Sequence, residues 1–448
     1  MDERLRLNLF TMSSVEHVTV GSWRYPGDQS TRYRDREYWT ELARTAERGG
    51  FDAVFFADVR GIYDVYDDSR DPAIERAVQT PSNDPAYLIP AMAEVTDELG
   101  FAVTKSTSYN HPYQLAREFS TLDHLTDGRV AFNIVTSYLE SAAANLGLTE
   151  RIDHDERYDR AEEFMQVCYA LWEDSWAEDA VERDPESRFT DPAKVTAIDH
   201  EGEYFDVPGP HGCEPSPQRT PLLYQAGSSD RGREFAARHA EAVFLSQPTE
   251  SAVREYVTDL ERRLDAHGRS PDSVAFFPGL VPVVGETETL AQAKYESYLD
   301  AIDVEGVLAL LSGFVDMDLS ELEPDQPLEH IETEAIQGVV NAFTTNDDRD
   351  WTVREMAEFA GLGTTSPVVV GTPEDVADTF EHWYRTLGVD GINVKEVVRP
   401  DTLRDFVDLV VPELRDRDVL ADPEGETLRE RISGQRGLPA GHPGQTGS

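Results

Sequence analysis

The 448-residue chain has only two cysteines, four lysines, no long apolar run and no nucleotide-loop glycine pattern. Cys168 and Cys213 cannot build a disulfide framework or a metal quartet, so a reducing compartment is expected. No stretch approaches the roughly 18 consecutive apolar residues of a membrane-spanning helix. The opening MDERLRLNLF carries four charges and does not read as a secretion signal. His111, His124, His200 and His211 stand apart, and no H-E-x-x-H pattern occurs, so no metal site is expected. Neither G-x-G-x-x-G nor G-x-x-x-x-G-K is present, and Thr11-Met12-Ser13-Ser14 follows the first strand instead. This argues against a doubly wound dinucleotide fold and against a P-loop.

What the chain has in excess is negative charge: 87 acidic residues against 40 basic ones, a net charge of −47. The lysines are Lys105, Lys194, Lys294 and Lys395; all other basic residues are arginines. Such a surface repels nucleic acid and anionic membranes. At low salt it also repels itself, whereas near molar salt the screening length falls to about 3 Å. The acid excess runs the whole chain, which predicts a cytoplasmic protein suited to high salt, as in halophilic archaea.

Strand-like and helix-like segments alternate, the pattern of a parallel α/β fold. Predicted strands lie at Leu5–Phe10, Asp52–Ala57, Phe101–Thr107, Val130–Thr136, Leu222–Ala226, Ala242–Leu245, Val274–Val283 and Gly391–Val394. Helices are predicted between them, at Tyr38–Arg48, Ala86–Leu99, Leu115–Leu125, Arg157–Trp172, Ser229–Ala240 and Pro373–Leu387. About eight strands with helices between them predict a (β/α)₈ TIM barrel spanning residues 1–421 as one domain. Stretches 60–84, 174–220 and 286–368 exceed a minimal barrel and are expected as insertions after strands that line the active-site face, where specificity resides. Residues 60–84 and 286–368 are the expected lid. The charged, then Gly- and Pro-rich tail 422–448 is expected to be disordered.

In a barrel the ligand sits at the C-terminal strand ends. Those ends read Ala57-Asp58, Thr104 to Ser108, Asn133 to Ser137 and Ala226-Gly227-Ser228-Ser229. Hydroxyls, amides and one carboxylate converge there, with no nucleophile–base pair, so no catalytic base is assigned. Ser228 and Ser229 follow a glycine and open a helix. They serve as a plain N-cap or as a phosphate cradle. His154 and Tyr158 lie four apart on one helical face. Lys105 meets an anion or pairs with a carboxylate.

The run from Ser106 to Leu125, then Gly128-Arg129 and Asn133 to Ser137, resembles the nitrilotriacetate monooxygenase group of luciferase-like flavin monooxygenases. So do His154-Asp155-Glu156-Arg157-Tyr158, Gly202 to Val207, Pro215 to Gln218, Gln225 to Ser229, Pro278-Gly279-Leu280 and Gly371-Thr372-Pro373-Glu374. The resemblance covers about residues 5–415. It implies a barrel with insertions, usually homodimeric, that holds FMN through Asp58, Thr104, Asn133, Ser137, His154, Tyr158, Ser228 and Ser229. Tyr158 and the serine pair would hold the phosphate. It also implies reduced FMN delivered by a separate NAD(P)H-dependent reductase, with one oxygen atom of O₂ passing to an organic substrate. Tyr63, Gln79, Asn110 and Tyr138 are the expected substrate contacts. The chain departs from the group at Lys105, His111 and the acidic stretch 177–198. The alternatives are a deazaflavin-dependent hydride-transfer enzyme of the same superfamily and a non-catalytic flavin- or ligand-binding barrel.

Overall fold

The computed structural model describes residues 4–148, 151–327, 352–420 and 424–445. In chain order the strands are β1 (Arg6–Met12), β2 (Ala53–Ala57), β3 (Gly100–Ser106), β4 (Val130–Val135), β5 (His200–Glu201), β6 (Asp206–Val207), β7 (Leu222–Gln225), β8 (Ala242–Leu245), β9 (Ala275–Val284), β10 (Val368–Gly371) and β11 (Gly391–Lys395). β1, β2, β3, β4, β7, β8, β9 and β11 pair in parallel and close into the expected eight-stranded TIM barrel. Closure runs through the ten-residue β9. Its first half pairs with β8 and its centre with β11, while its far end carries β10 as an appended ninth strand. β5 and β6 form a separate antiparallel hairpin.

The strands are apolar on both faces because both faces are covered. On β1 to β4, Leu7, Leu9, Val54, Phe56, Phe101, Val103, Val130 and Phe132 pack outward against the helices. Phe10, Ala53, Phe55, Ala102 and Ala131 alternate with them and fill the interior, joined by Tyr224, Phe244 and Phe277. Helix Arg36–Arg48 buries Tyr38, Trp39, Leu42, Ala43 and Ala46, spaced along one face, and ends at Gly49-Gly50. Helix Pro373–Leu387 opens with a Thr372/Asp375 capping box and ends at Gly388 in the left-handed conformation.

Two expectations need local correction. The helix predicted at Ala86–Leu99 is broken into a turn at Pro85–Tyr87 and a five-residue helix, Ile89–Ala93. Pro90 cannot donate to the ladder and can only begin a helix. The Glu47 carboxylate then accepts the N–H groups of Asp97, Glu98 and Leu99, holding them out of a helix. Insertion 174–220 follows the helix after β4, so it lies at the N-terminal end of the barrel, away from the ligand rim. There the Gln218 amide donates to Asp123 and to the Val130 carbonyl at the start of β4. Insertions 60–84 and 286–368 follow strands and reach the C-terminal rim, although residues 328–351 lie outside the described residues.

A third correction concerns the tail expected to be disordered. Thr427 and Glu430 form a capping box that opens helix Leu428–Ser433. Leu428 and Ile432 join the interior cluster, closing the barrel at its N-terminal end. Arg429 is wholly buried and pairs with buried Glu241 at 2.7 Å. It also donates to the carbonyls of Gln218, Thr220 and Pro221. A six-residue polar helix carries almost no periodic signal, and its anchor is a charge pair that sequence reading assigns to solvent. The tail's ends, 422–423 and 446–448, lie outside the described residues.

Arg429→Met would leave the Glu241 carboxylate buried without a counter-charge and three carbonyls without a donor. Removing one member of a buried pair costs about 3–5 kcal/mol. Chemical denaturation in molar salt should show a loss of that size. A loss under about 1 kcal/mol, the range of surface pairs, would mean that the plug is not integral to the fold.

Candidate active site

The C-terminal strand ends open into a cavity of about 470 Å³, within the range of small-molecule sites. Asp58, Ser137, His154, Tyr158, Ser228 and Ser229 all line it. Thr104 and Asn133 lie just below, inside the barrel. Thr104 donates to the Phe56 carbonyl at 2.7 Å and accepts from the Asn133 amide at 2.7 Å. The Asn133 Oδ1 has no protein partner.

One end of the cavity is formed by a helix N-terminus. Ser229 is the N-cap of helix Asp230–His239, its Oγ accepting the Gly232 N–H at 3.0 Å. The N-cap reading therefore holds, and it leaves the positive end of the helix facing the cavity. Gly227 permits the close turn: a Cβ there would lie 2.8 Å from the Gly232 Cα. A Cβ on Gly232 would likewise lie 2.8 Å from the Tyr158 hydroxyl, so that hydroxyl rests against the helix's first turn. The His154 ring packs edge-on against Tyr158, with centroids 5.3 Å apart. Arg157, one residue before Tyr158, is buried at the same wall. It donates to the Ser137 carbonyl, and its Nε has no partner. Ser137 has φ 56°, an uncommon conformation for a residue with a side chain, and its Oγ donates to Ser106 at 2.8 Å. Asp58 faces the same space. Burial, then the neighbouring Asp84 carboxylate, pushes its carboxyl up to about 6.

A second lobe of about 500 Å³ continues from the first, sharing Val59, Tyr138, Gly227, Ser228 and Phe314. It is walled by Phe10, Phe244, His17, Gln79 and Lys395. Of the predicted substrate contacts, Gln79 and Tyr138 line this lobe. Tyr63 is buried behind them and donates to the Gln79 Oε1 at 3.0 Å, while its oxygen lies 2.6 Å from the Tyr138 hydroxyl. Asn110 donates to the Ser106 carbonyl and lines neither lobe. Both strand-following insertions supply wall: Gln79 from 60–84, and Phe314, Thr364 and Thr365 from 286–368.

Sequence reading missed Arg157, His17 and Lys395. Arg157 sits inside a quoted motif, but only its burial reveals it. Lys105, by contrast, pairs with Asp84 and Glu118 at 2.8 and 2.9 Å and meets no ligand space.

The loop that carries His17 is held by Glu16. Its Oε1 accepts the N–H groups of Gly21 and Trp23, its Oε2 has no partner, and burial pushes the carboxyl up to about 8. The folded state thus keeps a proton that the unfolded chain releases near 4.5. The folded state binds more protons across this window, so stability falls as pH rises from about 4.5 to about 8. Glu16→Gln keeps the acceptor oxygen and removes the titration. Calorimetry should find the variant close to the parent near pH 5 and more stable than it above pH 8; a parallel pH profile would refute this account.

Fold and site together define a (β/α)₈-barrel enzyme with a polar ligand cleft at the C-terminal strand ends. The model of the luciferase-like monooxygenases matches residues 18–391. A dimethyl-sulfide monooxygenase of Hyphomicrobium sulfonivorans is 46% identical, over 97% of this chain and 91% of its own. Component A of the nitrilotriacetate monooxygenase of Aminobacter aminovorans is 36% identical, over 96% and 97%. The crystal structure of a long-chain alkane monooxygenase superposes with a TM-score of 0.91 at 46% identity, covering 99% of both chains. The chain belongs to the luciferase-like monooxygenase family, and is a flavin-dependent monooxygenase.

Proposed function

We propose that this enzyme oxygenates a small organic substrate with O₂ and reduced FMN delivered by a separate NAD(P)H-dependent flavin reductase. The observation that carries FMN is the anion-binding end of the first lobe, where a helix N-terminus, the Tyr158 hydroxyl, Arg157 and His154 converge on one wall. A phosphate with two negative charges suits it. Two polar atoms without a protein partner, Arg157 Nε at the wall and Asn133 Oδ1 just below the cavity, are further places for a polar ligand. Bound FMN supplies the electrons that activate dioxygen. The chain's part is to bind, orient and exclude water.

Ser228, Ser229 and Tyr158 hold the phosphate in this reading, with Arg157 and His154 behind. Asp58, Thr104, Asn133 and Ser137 stand along the rest of the cofactor and fix its orientation. Phe314, Tyr138 and the two insertions cover the cleft and keep bulk water from the reacting atoms. A relative designated component A supports a partner reductase, and the family resemblance supports a homodimer. The acid excess supports a high-salt cytoplasm as the working environment.

Tyr158→Phe and Ser228→Ala should each weaken FMN binding about tenfold, the scale of one hydrogen bond to a charged group. Riboflavin, which lacks the phosphate, should bind parent and variants alike. Quenching of flavin fluorescence in molar salt reads both. Equal losses for riboflavin would place the phosphate elsewhere. Adding O₂ to the anaerobic complex with reduced FMN should then reoxidise the flavin more slowly than free reduced FMN. Binding of a deazaflavin with no binding of FMN would overturn the monooxygenase proposal.

A further inference from the structure

Lys395 is the last residue of β11, and its side chain points into the barrel interior rather than to the helices. It is 1% exposed. Its Nζ donates to the Gly363 carbonyl at 3.0 Å and lies 3.5 Å from the Thr364 hydroxyl. Phe10 and Phe244 approach it ring-on, with centroids 5.3 and 5.6 Å away. Among the described residues it has no carboxylate partner, although the chain carries 87 acidic residues. Lys105, Lys194 and Lys294 are each paired with aspartate. The position is made for this side chain: a Cβ on Gly279 would lie 2.9 Å from the Lys395 Cε.

An ammonium buried without a counter-charge is costly. His17, its Nδ1 without a partner, faces the same lobe and brings no counter-charge: burial, then the like charges of Arg399 and Lys395, holds its imidazole well below the usual range. Burial alone pulls Lys395 down to about 7. A lobe with apolar walls and one uncompensated amine at its floor is complementary to an amphiphilic anion.

We propose that Lys395 is the anion anchor of the second lobe, which takes a substrate bearing a carboxylate or sulfonate beside an apolar portion. The oxyanion accepts from the Lys395 ammonium, and the apolar portion packs on Phe10 and Phe244. Gln79 and His17 supply the flanking polar contacts. Only the word substrate rests on the monooxygenase reading; the anion site stands on the lobe itself. The acidic end would lie at the bottom of the second lobe, at the C-terminal end of β11, and the rest of the molecule toward the first lobe, where the cofactor binds in that reading.

The test compares hexanoate with hexanamide by calorimetry on the FMN-loaded protein at pH 6 in molar sodium chloride. Hexanoate should bind at least about tenfold more tightly, the scale of a charge-assisted hydrogen bond. Lys395→Met, a substitution of similar length, should abolish that preference while leaving FMN affinity unchanged. Equal binding of acid and amide by the parent overturns the anchor without any variant being needed. Loss of FMN affinity in Lys395→Met, with the preference for hexanoate retained, would assign the lysine to the cofactor instead and also overturns it. Parent protein that prefers hexanoate even without FMN, yet fails to bind FMN, would sustain the anchor and sink the cofactor reading. The two failures are thus separable.

Discussion

Everything at the active site depends on closing a parallel sheet. An open parallel sheet leaves two edges of unpaired N–H and C=O groups; pairing β9 with both β8 and β11 removes them. Closure also sends every strand's C-terminal end to one rim. Residues distant in sequence, such as Asp58, Ser137 and Ser228, then face one cavity without any segment having to travel. β9 does this with ten residues where its neighbours use four or five, and the surplus carries β10 and the insertion that roofs the second lobe.

The two ends of the barrel are finished by opposite means. At the floor, Leu428 and Ile432 fill the opening, and the Arg429–Glu241 pair ties their helix to β7 and β8. At the mouth, polar strand ends remain open to ligand. Arg429 has its charge matched by a carboxylate and its remaining donors used by carbonyls. Lys395 has only a carbonyl and a hydroxyl. Two buried cations in one barrel thus differ in whether the protein supplies the anion. Full satisfaction at the floor is what a structural plug needs, and incomplete satisfaction at the mouth is what a binding site needs.

Much of this was legible in the sequence because strand parity is strict. On β3 and β4, Phe101, Val103 and Phe132 face the helices, so Thr104 and Asn133, of opposite parity, must face the interior. The same rule puts Ile392 and Val394 outside and Asn393 and Lys395 inside, yet it needs the register, which only the closed sheet fixes. The Gly227-Ser228-Ser229 turn was legible because helix starts and phosphate cradles demand the same residues. Arg157 was not, because an arginine in a polar helical turn looks solvated until the fold buries it against the Ser137 carbonyl. Helix Leu428–Ser433 was not, because its stability comes from the barrel it plugs and not from its own six residues. Insertion 174–220 was seen but assigned to the wrong end. Composition marks a loop, while only its position after a helix says which end it joins.

The acid excess and the buried cations of the two lobes have to coexist. A net charge of −47 opposes the approach of any anion at low ionic strength. Near molar salt the repulsion is confined to about 3 Å of the surface, so it hardly reaches an incoming ligand. Salt cannot enter the lobes in the same way: Arg157 and Lys395 are buried, and their attraction acts through protein rather than through electrolyte. High salt therefore removes the barrier at the surface and spares the attraction inside the lobes. An exterior of one sign around buried cations of the other is, under those conditions, consistent with the proposed binding of an anionic cofactor and an anionic substrate in adjoining lobes.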